Sequence, residues 1–212
     1  MSRPFERPAT IALPAGAAGE GATLEGLFVP GPEADGPGVV IAAPHPTMGG
    51  SMDSPVVTEI ALAAERAGLA SLRFNWRGVG ASAGAPTSDT AIADVDFGAA
   101  LAFLDESVGG PLHAAGYSFG AATALRASVH HAGLRRLVLV APPPTILDRA
   151  ALLGFEREIF IAVGDRDPYA DHSELAALAG EARAAHLELI PDCDHFFMTG
   201  LGVLGRSLAD WW

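Results

Sequence analysis

Short apolar segments bounded by glycine or proline alternate through most of the sequence with longer, alanine-rich segments of helical character. This alternation is typical of a largely parallel β-sheet with helices packed on both faces. The predicted strands are ATIALP, ATLEGLFVP, GVVIAAP, GLASLRFN, PLHAAGY, LRRLVLVA, REIFIAVG and AHLELIP, and the first two should form an antiparallel pair. The predicted helices cover residues 55–67, 88–104, 119–131 and 172–184, with a last helix ending in Trp211 and Trp212.

The length of 212 residues, half of them hydrophobic, suits one α/β domain with a sizeable core. No internal repeat or linker interrupts the pattern, so residues 1–212 are expected to form a single domain. The formal net charge of -12 leaves no basic surface for phosphates. Nucleic acid and anionic membrane surfaces are therefore poor candidate partners.

The cysteine content and the opening residues bear on the cellular compartment. Cys193 is the single cysteine, which excludes a disulfide scaffold. The opening residues MSRPFERPATIALPAG lack the apolar segment and cleavage site of a secretory signal, and no apolar stretch reaches about 18 residues. A cytoplasmic protein that does not span a membrane is expected.

Ser118 lies between two glycines in GYSFG, where the apolar LHAAG gives way to the helix-forming AATALRASVHH. Ligands of open α/β sheets bind beyond the carboxyl ends of the strands, which is where this serine is expected. A strand–turn–helix setting of this kind exposes a nucleophilic serine beside the helix N-terminus. The alternative is a serine that merely caps its helix.

A serine nucleophile needs a general base, and the base needs a group that orients it. Among the seven histidines, only His195 follows the last strand and precedes the last helix, at the same sheet edge as Ser118. The other histidines are expected to have structural roles. For the acid, the segment GDRDPYAD offers Asp165, Asp167 and Asp171 after the seventh strand, and Asp148 is a distant rival.

Four segments together resemble the α/β-hydrolase superfamily: HPTMGGSMD, NWRGVGASAG, GYSFG, and GDRDP with DCDHFF. The first two are most similar to small capless serine hydrolases related to dienelactone hydrolases and short acyl peptidases. The resemblance implies a single-domain α/β-hydrolase fold with an eight-stranded, mostly parallel sheet and no cap domain. It also implies the chain order serine, acid, histidine, and it favours Asp167 as the acid over Asp165.

The resemblance also implies two backbone donors for an oxyanion, one after the nucleophile and one after the third strand. Phe119 is the first. At the second position the usual glycine is Pro46, which has no N–H, so Thr47 is the expected donor and Met48 the alternative. His45 is expected to support this loop rather than to act as a base.

The segment RGVGASA matches the dinucleotide fingerprint through Gly78, Gly80 and Ala83. No helix begins directly after it, and no acidic strand end follows about 20 residues later, so nucleotide binding is the weaker interpretation. Arg77 and the glycines are instead expected to form a structural turn behind the site.

The predicted function is hydrolysis of a carboxylic ester by Ser118, His195 and Asp167, with a small-molecule acyl substrate, no metal and no cofactor. Only about 17 residues separate the sixth and seventh strands, so the site should be open, bordered by Met48, Tyr117, Phe119, Pro142, Pro143 and Phe196. Thioesterase, acyl transferase or peptidase chemistry would use the same residues, and a non-catalytic binding protein is a further alternative. The sequence leaves monomer and homodimer open.

Overall fold

The computed structural model describes residues 6–212. Eight strands form one sheet: β1 (Arg7–Ala12), β2 (Thr23–Val29), β3 (Gly38–Ala42), β4 (Ala70–Phe74), β5 (Leu112–Tyr117), β6 (Leu134–Val140), β7 (Glu158–Gly164) and β8 (Ala185–Ile190). Their order is β1-β2-β4-β3-β5-β6-β7-β8. β2 pairs antiparallel with β1 and with β4, and the six strands from β4 to β8 pair in parallel. The predicted eight-stranded, mostly parallel sheet is confirmed.

Within residues 6–212, six α-helices cover the two faces of this sheet: α1 (Pro55–Arg66), α2 (Thr90–Ser107), α3 (Phe119–Val129), α4 (Arg149–Gly154), α5 (His172–Glu181) and α6 (Leu201–Trp211). Helices α1 and α6 pack against each other, while α2, α3, α4 and α5 pack in sequence along the other face. Short 3₁₀ turns occupy Pro46–Met48 and Pro144–Ile146. The sequence did not predict α4 or these turns, because six residues or fewer are too short to show a helical period.

Local interactions set where the helices begin and end. Asp89 accepts hydrogen bonds from the first N–H groups of α2, so that helix starts two residues after the predicted position. Asp171 caps α5 through the N–H groups of Ser173 and Glu174. These two hydrogen bonds, that of Glu174 first, lower the pKa of Asp171. Asp171 therefore has a structural role, and it is excluded as an acid partner of a histidine.

The burial of the strands shows where the core lies. Every residue of β3, β4 and β5 is buried, as expected for parallel strands covered on both faces. The edge strand β8 is half-exposed. The core thus lies on both sides of the central strands, and polar side chains gather in the loops at their carboxyl ends.

The connection between β6 and β7, residues 141–157, contains only the second 3₁₀ turn and the six-residue α4. A covering domain would need a longer insertion here. The predicted absence of a cap domain is therefore confirmed, and nothing in this connection closes over the carboxyl edge of the sheet.

Candidate functional site

Ser118 forms a sharp turn between β5 and α3. Its backbone lies at φ 55 and ψ -116, a left-handed conformation that is rare for a residue with a side chain. The Ser118 N–H donates to Val140 O at 2.9 Å, which anchors the turn to the neighbouring strand. The side chain makes no capping hydrogen bond to α3. The alternative of a simple helix-capping serine is therefore wrong, and the hydroxyl points elsewhere.

Close backbone packing explains the two glycines beside this serine. A Cβ added at Gly116 would lie 2.3 Å from the backbone of Gly120, and a Cβ added at Gly120 would lie 2.5 Å from Ala42 O. Helix α3 thus sits directly against β5 and β3 with no room for a side chain between them. The packing holds Ser118 in its strained conformation.

His195 and Asp167 complete a hydrogen-bonded group with the serine. Ser118 Oγ lies 3.1 Å from His195 Nε2, and His195 Nδ1 lies 2.8 Å from Asp167 Oδ2. All three side chains are buried. The Asp167 carboxylate accepts a hydrogen bond from Nδ1, so the neutral imidazole carries its proton on Nδ1. Nε2 can then accept a hydrogen bond from the serine hydroxyl.

The rival aspartates have other partners. Asp167 Oδ1 accepts from the N–H groups of Tyr169 and Ala170, each at 2.8 Å, which fixes the carboxylate while Oδ2 faces the histidine. Asp165 instead accepts from Cys193 N at 3.3 Å and so ties the loop after β7 to the loop after β8. Asp148 caps α4. Of the four sequence candidates, only Asp167 contacts His195.

Tyr117 joins the serine turn to the histidine loop. Its hydroxyl donates to the backbone oxygen of His195 at 2.8 Å, and its ring centroid lies 5.5 Å from that of the imidazole. Burial, followed by the charge of Asp167, raises the pKa of Tyr117, so the phenol stays protonated and remains a donor. Tyr117 was expected at the border of the pocket, but it is buried against the histidine.

The expected oxyanion loop lies beside Ser118 but is organised around His45. The ring nitrogen His45 Nδ1 accepts from Thr47 N at 3.3 Å and lies 3.1 Å from Thr47 Oγ1. Met48 N donates to His45 O at 3.1 Å. Burial lowers the pKa of His45, which favours the neutral ring that can accept these bonds. His45 therefore supports the loop, as expected.

The two backbone N–H groups expected to bind the oxyanion differ in their hydrogen bonding. Phe119 is the first residue of α3, so its N–H has no intrahelical acceptor and points from the helix N-terminus. Thr47 N already has a partner in His45, although the 3.3 Å separation is at the long end for a hydrogen bond. The His45 ring packs on Phe119 with centroids 4.7 Å apart, which keeps the two donor segments together.

Two residues at the end of β4, to which the sequence assigned no role, hold the same loop. The indole Nε1 of Trp76 donates to Ala43 O and Pro44 O at 3.0 and 3.1 Å. Asn75 Oδ1 accepts from Met52 N at 2.8 Å. The position of both residues at a strand carboxyl end was visible in the sequence, but their partners were not.

The loop that resembled a dinucleotide fingerprint is a structural turn. Arg77 forms a buried ion pair with Asp96, with its Nε 2.9 Å from Oδ1, and also donates to Ala17 O at 2.7 Å. Glu25 Oε2 accepts from Ala81 N at 2.9 Å and from Asn75 Nδ2 at 2.8 Å. The polar groups of this turn are thus bonded within the protein, and the nucleotide interpretation loses its support.

The predicted border residues differ widely in exposure. Met48 is 79% exposed and Phe196 is 60% exposed, so both can meet a ligand. Pro142 is buried and Pro143 is half-buried, which leaves them little surface to offer. Tyr169, which the sequence analysis did not single out, is 55% exposed and packs against His195 with centroids 5.0 Å apart.

Within residues 6–212, no group of three or more histidine, cysteine or acidic side chains is arranged to hold a metal ion. In the same part of the chain, no helix combines the length and hydropathy needed to cross a bilayer.

Comparisons with known proteins identify the family of this fold. The model of the alpha/beta hydrolase fold family matches residues 45–157, more than half of the chain. A solved α/β serine hydrolase homologue from Coxiella burnetii is 25% identical, with a TM-score of 0.85 and 99% of each chain covered. A serine hydrolase without a lid from Xanthomonas campestris is 27% identical, with a TM-score of 0.84 and coverage of 99% of this chain and 94% of the other.

An uncharacterized protein of Rickettsia prowazekii is 26% identical over 200 residues, which is 89% of this chain and 83% of the relative. The family match spans the loop at His45, the turn at Ser118 and the end of β6, and the solved relatives share the entire fold. The chain therefore belongs to the alpha/beta hydrolase fold family and is, at that level, a hydrolase.

Proposed function

We propose that the protein hydrolyses a carboxylic ester of a small acyl substrate through an acyl-enzyme formed on Ser118. The observation that carries this proposal is the 3.1 Å contact between Ser118 Oγ and the Nε2 of an imidazole whose Nδ1 is held by Asp167. A serine, a base and an orienting acid in this order of contacts are what nucleophilic acyl transfer requires.

In the acylation step, Ser118 Oγ attacks the ester carbonyl carbon while its proton passes to His195 Nε2. The imidazolium that forms is stabilised by the Asp167 carboxylate, whose Oδ2 lies 2.8 Å from Nδ1. Collapse of the tetrahedral intermediate breaks the bond to the alcohol oxygen, and that oxygen takes the proton from Nε2 as it leaves. The products of this half-reaction are the free alcohol and acyl-Ser118.

In the deacylation step, a water molecule attacks the acyl carbon and gives its proton to His195. The bond to Ser118 Oγ then breaks, the serine recovers its proton, and the carboxylic acid departs. No outside oxidant, reductant or cofactor is needed for either half-reaction. The open carboxyl edge of the sheet, with its short β6–β7 connection, leaves water free to reach the acyl carbon.

The oxyanion of the intermediate would lie between the N–H of Phe119 and that of Thr47. The Phe119 N–H is preorganised by its place at the start of α3. The Thr47 N–H would turn from His45 Nδ1 toward the oxyanion. Its present hydrogen bond is long, so little free energy is lost when that bond breaks. Both donors are held by backbone that Trp76 and His45 brace, so little reorganisation is required.

A fluorophosphonate probe tests this function because it reacts covalently only with an activated serine. We expect a single adduct, located at Ser118 by peptide mass spectrometry, and no adduct in Ser118→Ala. Ser128→Ala is the matched control, since Ser128 is a buried serine whose hydroxyl bonds only to Ala124 O. Labelling of folded protein at another residue, or none at all, would refute the proposal.

A further inference from the structure

Three aromatic rings surround the imidazole of His195. Tyr117 lies 5.5 Å away by ring centroids, Tyr169 lies 5.0 Å away and Phe196 lies 5.7 Å away. Tyr117 is buried, whereas Tyr169 and Phe196 are more than half exposed. These two, which we call the aromatic pair, also contact each other edge to face, with centroids 6.4 Å apart. The outer side of the histidine is therefore an exposed aromatic surface.

The aromatic pair is held on fixed backbone. The Tyr169 N–H donates to Asp167 Oδ1 at 2.8 Å, so the position of this ring follows that of the acid. Phe196 is followed by Phe197, which is buried and has a left-handed backbone at φ 54. Burial of Phe197 on one side presents Phe196 to solvent on the other. Exposed aromatic rings on rigid backbone are features of a binding surface that does not have to reorganise.

The proposed reaction indicates which part of the ester contacts the aromatic pair. The alcohol oxygen of the ester must come within hydrogen-bond distance of His195 Nε2, because that nitrogen protonates it on departure. The carbonyl oxygen points instead toward Phe119 and Thr47, where the His45 ring covers Phe119. A substituent on the alcohol therefore extends from Nε2 over the rings that pack against the histidine.

We propose that the aromatic pair binds the alcohol part of the substrate and selects esters of aromatic or other bulky apolar alcohols. This inference rests on the proposed esterase function and adds the part of the substrate that is recognised. Stacking of an aromatic alcohol on Tyr169 and Phe196 would speed acylation. It would leave deacylation unchanged, because the alcohol has already left.

Two isomeric esters test the proposal directly. Benzyl acetate carries its phenyl group on the alcohol, whereas methyl phenylacetate carries the same group on the acid, and the two alcohols have similar acidity. We expect the native protein to have a kcat/KM about tenfold higher for benzyl acetate, from two aromatic contacts. Equal values, or a preference for methyl phenylacetate, would overturn the inference.

Substitution of each member of the aromatic pair then tests whether these two rings cause the preference for benzyl acetate. Tyr169→Ala and Phe196→Ala should each lower kcat/KM for benzyl acetate about 3- to 10-fold more than kcat/KM for methyl phenylacetate. Tyr169→Phe should behave like the native protein, since the ring makes the contact. Met198→Ala is the control, because Met198 is on the same loop and is even more exposed. An equal loss for both isomers would instead indicate a structural role and contradict the inference.

Fluorophosphonate labelling separates the two proposals. If Ser118 is labelled at the native rate in both variants, the nucleophile is intact and the isomer preference alone decides the role of the aromatic pair. If the native protein is not labelled, the proposed function fails, and the assignment of an alcohol site fails with it.

Discussion

Two glycine-containing loops at the carboxyl edge of the sheet show how a reactive site differs from a scaffold. The turn after β5 carries Ser118, and the turn after β4 carries Gly78 and Gly80. Both turns adopt positive φ, but in the first the strained residue is a serine at φ 55. In the second the strained positions are glycines at φ 74 and 57, for which such values cost little.

The side-chain partners differ in the same way. The hydroxyl of Ser118 lies beside the imidazole of His195, which is buried and titratable. It makes no capping hydrogen bond to α3. Around the β4 turn, Arg77 is paired with Asp96, and Glu25 receives the N–H of Ala81. Backbone strain combined with a polar side chain aimed at a second reactive group indicates chemistry. Glycines without backbone strain, surrounded by polar groups that hydrogen-bond to one another, indicate a structural turn.

The largest expected effect distinguishes the two aspartates that follow β7. Asp167→Asn should lower kcat by about 10⁴-fold, because an amide nitrogen facing His195 Nδ1 forces the ring proton onto Nε2. Asp165→Asn is the matched control. Its amide oxygen can still accept from Cys193 N, so kcat should change little. Steady-state kinetics with a p-nitrophenyl ester measures kcat for both variants. A larger loss of kcat in Asp165→Asn than in Asp167→Asn would identify Asp165 as the acid.

The scaffold turn should show the reverse phenotype, a loss of stability without a loss of chemistry. Arg77→Met leaves Asp96 charged and buried, and we expect the free energy of unfolding to fall by about 3–5 kcal/mol. Asp96→Asn is a milder change in the same direction. Arg149→Met breaks an exposed pair with Glu181 and should cost less than about 1 kcal/mol.

Urea denaturation measures these losses, and fluorophosphonate labelling of the folded protein should proceed at the native rate. If Arg77→Met instead retained its stability but lost labelling, the β4 turn would belong to the reactive site, and the distinction between the two loops would be wrong.

A smaller effect is expected for Tyr117, which links the serine turn to the histidine loop. Tyr117→Phe keeps the ring but removes the donor to His195 O, so the histidine is held less firmly. We expect kcat to fall about fivefold with KM unchanged, which corresponds to about 1 kcal/mol for the lost hydrogen bond. Ser128→Ala removes a buried hydroxyl in the last turn of α3 and should leave kcat at the native value. A change confined to KM would contradict the positioning role.

The smallest effect concerns His113, which is as buried as His195, at 7% exposure, but has no hydrogen-bond partner for its Nδ1. Burial, followed by the charge of Arg136, lowers its pKa from 6.5 to about 4. Between these values the unfolded chain binds a proton that the folded protein does not, so stability falls as the pH falls.

The contribution of His113 to this loss between pH 7 and 5.5 should be about 1 kcal/mol. His113→Leu should therefore lose about that much less stability than the native protein over the same range, as measured by urea denaturation. Its kcat should not change. Identical pH dependence in the two proteins would show that the titration of His113 does not differ between the folded and unfolded states.

Most of the fold could be predicted because the strands are short, mostly apolar and bounded by glycine and proline. The order of the strands in the sheet was not predicted, because it depends on crossovers that no local pattern records. The helix α4 was missed because six residues give no periodic signal. The end of α5 was placed three residues too late because the residues after Gly180, EARAA, have high helix propensity.

The candidate site was predictable to the extent that strand ends identify it. Ser118 and His195 follow β5 and β8, and both positions could be read from the alternation. Asp165 and Asp167 follow the same strand, so spacing alone could not separate them, and the hydrogen bonds at Asp167 do. The burial of Tyr117 and the contacts of Tyr169 depend on tertiary packing, which no local pattern in the sequence records.

Ser118 is proposed to carry the acyl group, and a rapid-quench experiment can detect that group on the protein. The protein is mixed with p-nitrophenyl acetate, quenched with acid within the first turnover, and digested for mass spectrometry. We expect one acetyl group on the peptide that contains Ser118, together with a burst of p-nitrophenol equal to the enzyme concentration. Undiminished hydrolysis by Ser118→Ala, or an acetyl group on another residue, would contradict the account.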